Sequence, residues 1–331
     1  SFFFEFYILS LLLTQMNKKI LVTGGAGYVG TTLVPLLLKL NYKVLVIDTF
    51  WFGNYLPKHN NLSILKKNIL NIKKNDIAGI HSIIHLASVA NDTASDLNPK
   101  LTWEISCLGT KHLCDIAKQV GVKKFIFASS GSVYGIKKEK QVNEKLSCEP
   151  ISDYNKTKIV AEKIVESYKK YFKYYNIRPS TLYGASPRMR LDLTMNILTK
   201  HAALNNQIKV FGGKQWRPFL HVKDMANVYI HFLRKNLKEG SYNASDGNLK
   251  VIDKAKIIQK LSKNCKIKIT KSNDIRSYRL SSKKLIKTGF KFKHQLVPSL
   301  KEMYDMFKNN EIKDLPNFYS LKWLSEFRNK N

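Results

Sequence analysis

The chain has 331 residues, enough apolar and aromatic content for a packed core, and a formal charge of +32. Nearly all the positive charge is Lys scattered through every segment, a compositional bias and not one basic patch, so no nucleic-acid partner is expected. No apolar run reaches the roughly eighteen residues of a membrane span, and Cys107, Cys114, Cys148 and Cys265 show neither CxxC pairing nor metal-ligand spacing with His. Reduced thiols, no metal, no membrane partner and a cytoplasmic location are the expectation.

Ser1–Gln15 holds two apolar stretches but lacks a basic leader and carries Glu5. It reads as an extension ahead of a domain that starts at Met16, not as a signal peptide. Ile20–Val22 then reads as a buried first strand, followed by Gly24, Gly27 and Gly30 and an apolar helix over Thr31–Leu40. Strand, glycine turn and helix bring unpaired backbone N–H groups to a helix N-terminus, where a pyrophosphate is stabilised. Gly24 serves the tight turn, Gly27 the approach of backbone to phosphate, and Gly30 the packing of helix on strand. A second strand, Lys43–Asp48, ends on an acid at roughly the 20-residue offset of a ribose-binding carboxylate. Such an acid repels a 2′-phosphate, and Thr49–Asn54 supplies no Arg or Lys to rescue one, so NAD is favoured over NADP.

Leu62–Leu65 is a third strand, His81–His85 a fourth running into small residues, and Lys124–Ser130 a fifth. Trp103–Val120 and Tyr154–Tyr171 have helical periodicity, and Tyr174–Arg178 is a sixth strand. This alternation specifies an α/β fold, a Rossmann-type doubly wound parallel sheet with helices on both faces. Helices over Leu191–Leu204, Asp224–Leu233, Asp253–Ser262 and Pro298–Asn309, with short strands at Ile208–Phe211 and Lys266–Thr270, predict a smaller C-terminal α/β substrate lobe. The expected division is an extension at 1–15, a dinucleotide-binding domain at 16–180 and a substrate lobe at 181–331, with an approximate boundary across which strands interleave.

Tyr154 and Lys158 are four apart on one helix and face the same way. A phenol titrates near 10 in water, and a cation one turn away, with an oxidised nicotinamide close by, would bring it into the range of a working base. Ser130, ending the preceding strand, is placed to hydrogen-bond the same substrate oxygen. The chain uses Lys for bare charge, so its few arginines, among them Arg188, Arg190, Arg217, Arg276 and Arg279, suggest forks that grip phosphate or carboxylate.

These pieces together resemble the extended short-chain dehydrogenase/reductase family, in its nucleotide-sugar epimerase/dehydratase branch. The matching motifs are Thr23–Gly30, Asp48, His85–Ala87, Gly109-Thr110, Phe127–Gly135, Tyr154–Lys158, Arg178–Gly184 and Arg217–Asp224, in family order from Lys18 to about Phe307. The resemblance implies that Tyr154 is the catalytic acid or base, that Lys158 orients the nicotinamide ribose and lowers the tyrosine pKa, and that Ser130 holds the reacting hydroxyl. It implies NAD bound by Gly24, Gly27, Tyr28, Val29, Gly30, Asp48, Asn68, Ile69, Leu86, Ala87, Ser88, Ser129, Tyr154, Lys158 and Ser180. It implies a nucleoside-diphosphate sugar held by Ser132, Thr181, Arg188, Asn196, Arg217 and Arg276, and a homodimer formed through the helices around Glu104–Val120 and Tyr154–Tyr171. Asn68 stands where the family usually has Asp facing the adenine amino group, and its amide oxygen is expected to accept that bond. Thr181 and Ser106 each replace a common Asn.

Dehydrating members resemble Thr-Asp-Glu where this chain has Ser130-Gly131-Ser132, decarboxylating members keep a Glu there, and the GDP-sugar epimerase-reductases usually show Cys at the position of Gly131. What remains is reversible hydride transfer at a carbinol carbon, expected to be C4, as in UDP-glucose/galactose 4-epimerase-like proteins. A net dehydrogenase/reductase is the first rival. A non-catalytic NAD-binding regulator is the second, and intact Ser130, Tyr154 and Lys158 argue against it. His85, His201 and His221 are read as structural or polar-loop residues.

Overall fold

A computed structural model describes residues 18–90, 92–272 and 277–328. The extension expected at 1–15 lies outside the described residues, as does Arg276. Twelve strands are present among the described residues: β1 Lys19–Thr23, β2 Lys43–Asp48, β3 Leu62–Lys66, β4 Ile80–His85, β5 Lys124–Ala128, β6 Lys173–Pro179, β7 Thr181–Tyr183, β8 Gln207–Phe211, β9 Trp216–His221, β10 Gly240–Ala244, β11 Gly247–Lys250 and β12 Lys266–Thr270. The helices are α1 Gly30–Lys39, α2 Asp92–Leu97, α3 Pro99–Trp103, α4 Gly109–Gln119, α5 Asp153–Ser167, α6 Thr194–Asn205, α7 Val222–Arg234, α8 Val251–Gln259, α9 Lys283–Ile286, α10 Leu296–Lys308 and α11 Ser320–Arg328.

Seven parallel strands form the main sheet in the order β10-β6-β5-β4-β1-β2-β3. Ile20, Val22, Val44 and Val46 point to a core shared with Leu33, Val34, Met225 and Tyr229 of α1 and α7. Leu21, Leu45, Ile47 and Ile83 point to the opposite core, with Leu113, Ala117 and Val165 of α4 and α5. A strand buried on both faces needs apolar side chains at every step, which explains why these segments read as continuous runs. The strand order reverses between β1 and β4, and at such a switch point a crevice opens beyond the carboxyl ends of the strands. The edge strand β10 comes from beyond residue 180. The remaining strands form β11-β9-β7 and β12-β8, around a third core that includes Met195, Ile208, Val222, Ile258 and Leu300.

The predicted helix over Trp103–Val120 starts earlier and is interrupted. It begins at Pro99 behind an Asn98 cap, passes through a π-helical turn at Glu104–Leu108, and continues as α4. Gly109 follows the π turn because a Cβ there would stand 2.5 Å from Cγ2 of Ile69. Helix α5 starts where Ser152 accepts from the Asn155 N–H and ends at Ser167, short of the expected Tyr171. The chain turns there so that Phe172 stacks on Phe125 at 5.2 Å.

Candidate active site

A cleft of about 530 Å³ opens over the carboxyl ends of β1, β2, β4, β5 and β6. Its floor at one end is the glycine turn. Gly24 has φ +69°, and a Cβ on it would stand 2.6 Å from the Ala87 N, so the turn passes against the end of β4. Gly30 faces the turn itself, where its Cβ would meet the Gly25 backbone at 2.3 Å; the expected helix-on-strand contact is a helix-on-turn contact. Asp48 accepts from the N–H groups of Ala26 (2.9 Å) and Phe50 (2.8 Å) and lines the cleft. Burial pushes its carboxyl up, and those N–H groups pull it partly back. Ile69, Leu86, Ala87 and Ser88 line the same end.

The other end holds Ser130, Tyr154 and Lys158 in one cleft, as their spacing predicts. Lys158 is 3% exposed; its Nζ donates to the Ala128 carbonyl at 2.7 Å and lies 5.7 Å from the centre of the Tyr154 ring. The expectation joined this ammonium to an oxidised nicotinamide; in the protein alone, burial dominates the phenol. Burial pushes Tyr154 up to about 12, with the Ser130 hydroxyl the largest opposing influence. Burial pushes Lys158 down to about 7, against the pull of Cys107 and Glu162. Burial therefore favours the protonated phenol in the cofactor-free protein.

Ser130 belongs to a chain of polar contacts. Its Oγ lies 2.7 Å from that of Ser132, Ser132 donates to Oδ1 of Asn155, and Asn155 Nδ2 donates to Asp92 at 3.0 Å. Asp92 also accepts from Ser152, ties the β4 loop to α5 and lines the cleft. The sequence reading missed this carboxylate, although it directly follows the small-residue loop after β4. Arg190, one of the arginines expected to act as a fork, lines the cleft with its guanidinium on Asp192, Nε to Oδ1 and Nη2 to Oδ2 both at 2.8 Å.

Thr181, Arg188 and Arg217 line the cleft, and Arg217 Nη1 donates to the Trp216 carbonyl at 3.0 Å. Asn196 does not reach it. That side chain is fully buried, taking the Gly184 N–H (3.0 Å) on its oxygen and giving its amide to Tyr28 Oη (3.2 Å) and the Arg190 carbonyl (2.9 Å). The Tyr28 phenol is turned away in the same network, donating to the Gly184 carbonyl at 2.7 Å, so Tyr28 and Val29 offer the cleft a helix start and not a phenol. Ser129 lines the cleft but spends its hydroxyl on Glu162. Asn68 caps the short turn Ile69–Asn71, where its Oδ1 accepts from the Leu70 N–H at 3.0 Å, so one lone pair of the oxygen meant for adenine is already committed. His85 is a buried tie, Nδ1 to Thr23 Oγ1 (2.6 Å) and Nε2 to Thr110 Oγ1 (2.9 Å), held neutral by burial that lowers its pKa to about 3.

The profile of the NAD dependent epimerase/dehydratase family matches residues 20–245. The chain belongs to that family. It is 26% identical over 287 residues to a UDP-glucose 4-epimerase of Bacillus subtilis, covering 73% of this chain and 82% of that one. It is 31% identical over 283 residues to a dTDP-D-glucose 4,6-dehydratase of Dictyostelium discoideum, covering 74% and 62%. A solved UDP-glucuronic acid 4-epimerase from Bacillus cereus, in complex with UDP-glucuronic acid and NAD, superposes with a TM-score of 0.78 at 26% identity, over 88% of this chain and 99% of that one.

In this NAD-dependent family member, Oγ of Ser180 and Nε of Arg188 are buried without hydrogen-bond partners, and both residues line the cleft. Among the described residues no helix is long and apolar enough to cross a membrane.

Three buried lysines make a pH signature. Burial pushes Lys158 and Lys254 down to about 7 and Lys124 down to about 8. An unfolded chain keeps those protons to about 10.4, so it binds more protons than the folded chain and stability rises with pH. The window runs from about pH 7 to about pH 8.5, where the unfolded thiols begin to titrate and oppose the effect. The cofactor-free protein's melting temperature is expected to climb across it; a flat or falling midpoint contradicts the burial of these ammonium groups.

Proposed function

We propose that this enzyme is a nucleotide-sugar 4-epimerase that keeps its NAD. The observation that carries the reading is the end of β5: Ser130 and Ser132 present hydroxyls, not a carboxylate, to the cleft that also holds the Tyr154 phenol and Asp48. Dehydration and decarboxylation call for an acid at that strand end, and Asp92, approaching from the β4 loop, is engaged by Ser152 and Asn155. Tyr154 takes the proton of the C4 hydroxyl as the carbinol is oxidised and returns it after the keto-sugar has rotated. Ser130 holds the hydroxyl in line, Lys158 holds the nicotinamide ribose, and Arg217 grips the diphosphate with its fork. NAD, when bound, would take up the hydride and return it to the opposite face of the keto-sugar. Residues beyond 180 form the substrate lobe, apart from α7 and β10, which belong to the main sheet and its core. The reading extends to a cytoplasmic homodimer, with exposed Leu108 and Val160 on the joining helices.

The test is to supply the purified protein with UDP-glucose and other nucleoside-diphosphate sugars and follow both product and reduced nicotinamide. The expected result is a C4-inverted sugar with no net change in near-ultraviolet absorbance. Reduced cofactor accumulating in step with product makes the protein a dehydrogenase, and a deoxy-keto sugar makes it a dehydratase.

A further inference from the structure

Two arginines hold carboxylates: Arg178 grips Glu162 and Arg190 grips Asp192. Arg188 has no such partner. It is 2% exposed, its Nη2 donates to two neutral groups, the Asn317 carbonyl (3.3 Å) and Ser320 Oγ (2.9 Å), and its Nε has no acceptor. Its flat face covers Phe52 at 4.1 Å from the ring centre. Asp48 and Asp192 attract it without hydrogen-bonding to it, and a buried cation with no carboxylate in direct contact is stabilised further when an anion enters beside it.

Position identifies the anion. The Arg188 N–H donates to Thr31 Oγ1 at 3.2 Å, in the first turn of α1, so the residue begins beside the glycine turn. Its side chain runs to Phe52, in the loop that follows Asp48, and lines the cleft between them. In a doubly wound fold the glycine turn faces the pyrophosphate of a dinucleotide and the acid faces the adenosine ribose. The guanidinium lies between those two points, whereas the sequence reading gave Arg188 to the sugar nucleotide.

The far side of Arg188 is held by the C-terminal segment, which is strapped to the same loop. Asn317 Nδ2 donates to the Phe52 carbonyl (2.7 Å) and to Tyr55 Oη (2.8 Å), and Trp323 Nε1 donates to the Trp51 carbonyl (2.6 Å). Ser320 and Leu324 of α11 complete the wall of the cleft there. We propose that Arg188 is an anion clamp for the NAD pyrophosphate, and that it couples retention of the cofactor to the seating of Pro316–Arg328. An epimerase that recycles one NAD gains from such a latch, whereas an enzyme that releases NADH at each turnover does not. The inference rests on the family's use of NAD and stands whether or not the sugar is inverted at C4.

The test uses the full chain stripped of cofactor, with NAD, ADP and adenosine titrated against the parent and against Arg188→Met, Arg188→Gln and Arg188→Lys, read by calorimetry and melting. Arg188→Met is expected to weaken NAD and ADP by about a hundredfold, since a buried charge-assisted contact is lost, and to change adenosine by less than about threefold. Arg188→Lys regains part of the loss. The Arg188→Met chain gains less in melting temperature from NAD than the parent does. The proposal is overturned if NAD binds Arg188→Met within about threefold of the parent, or if adenosine weakens as much as ADP, or if the stripped variant melts lower with an unchanged gain from NAD. Should Arg188→Met not fold, the Gln and Lys variants decide by the same criteria.

Discussion

Replacing Tyr154 by Phe is expected to cut nucleotide-sugar turnover by about a thousandfold while leaving NAD affinity within about threefold of the parent. The substitution deletes one oxygen from a ring that is otherwise held by its surroundings. That oxygen is the group whose pKa burial raises to about 12 and the Ser130 hydroxyl pulls back. Lys158 keeps its bond to the Ala128 carbonyl in the variant, so the cofactor end of the cleft is unchanged. Turnover by the variant within tenfold of the parent, at equal NAD occupancy, removes Tyr154 from the proposed role.

Replacing Glu162 by Ala is expected to destabilise the fold by about 3–5 kcal/mol. Glu162 and Arg178 meet as a two-pronged pair, Nε to Oε1 at 2.8 Å and Nη2 to Oε2 at 2.6 Å, with side chains only 5% and 9% exposed. Ser129 and Ser241 also donate to this carboxylate, and Arg178 Nη1 donates to Tyr134 Oη at 2.8 Å. The alanine variant leaves a guanidinium buried among neutral groups, which costs more than the pair contributed. Removing both partners, as Glu162→Leu with Arg178→Met, is expected to recover most of the loss. Urea unfolding measures both, and a single variant within about 1 kcal/mol of the parent contradicts the account. The pair joins α5 to β6 and, through Ser129, to the end of β5, so this stability also fixes where Ser130 stands.

What the sequence made legible was local chemistry. Gly24, Asp48, Ser130, Tyr154 and Lys158 were found because a turn, a strand end and one helical turn place them by spacing alone, and all five line one cleft. Asn196 reads as a ligand from the loop and helix start expected to cover the nucleotide, and Tyr28 from the glycine-turn motif, yet their polar side-chain groups are consumed in contacts with Gly184 and Arg190. Arg188 lies 140 residues beyond Asp48 in the chain, and no spacing rule brings it to the loop after Asp48. The same holds for Asp92, whose engagement with α5 depends on how β4 and α5 pack, and for the strap at Pro316–Arg328, whose contacts are with Trp51, Phe52 and Tyr55. Electrostatics was the other gap: spacing put an ammonium beside a phenol but could not show how dry both groups would be.

The central claim is that one hydrogen leaves C4 of the sugar and comes back within the same closed site. A nucleoside-diphosphate sugar carrying deuterium at C4, converted in ordinary water, tests it by mass spectrometry of the epimer. Full retention of deuterium in the product is the predicted result. Loss of the label to solvent means the carbon is inverted by deprotonation, and contradicts hydride transfer to NAD.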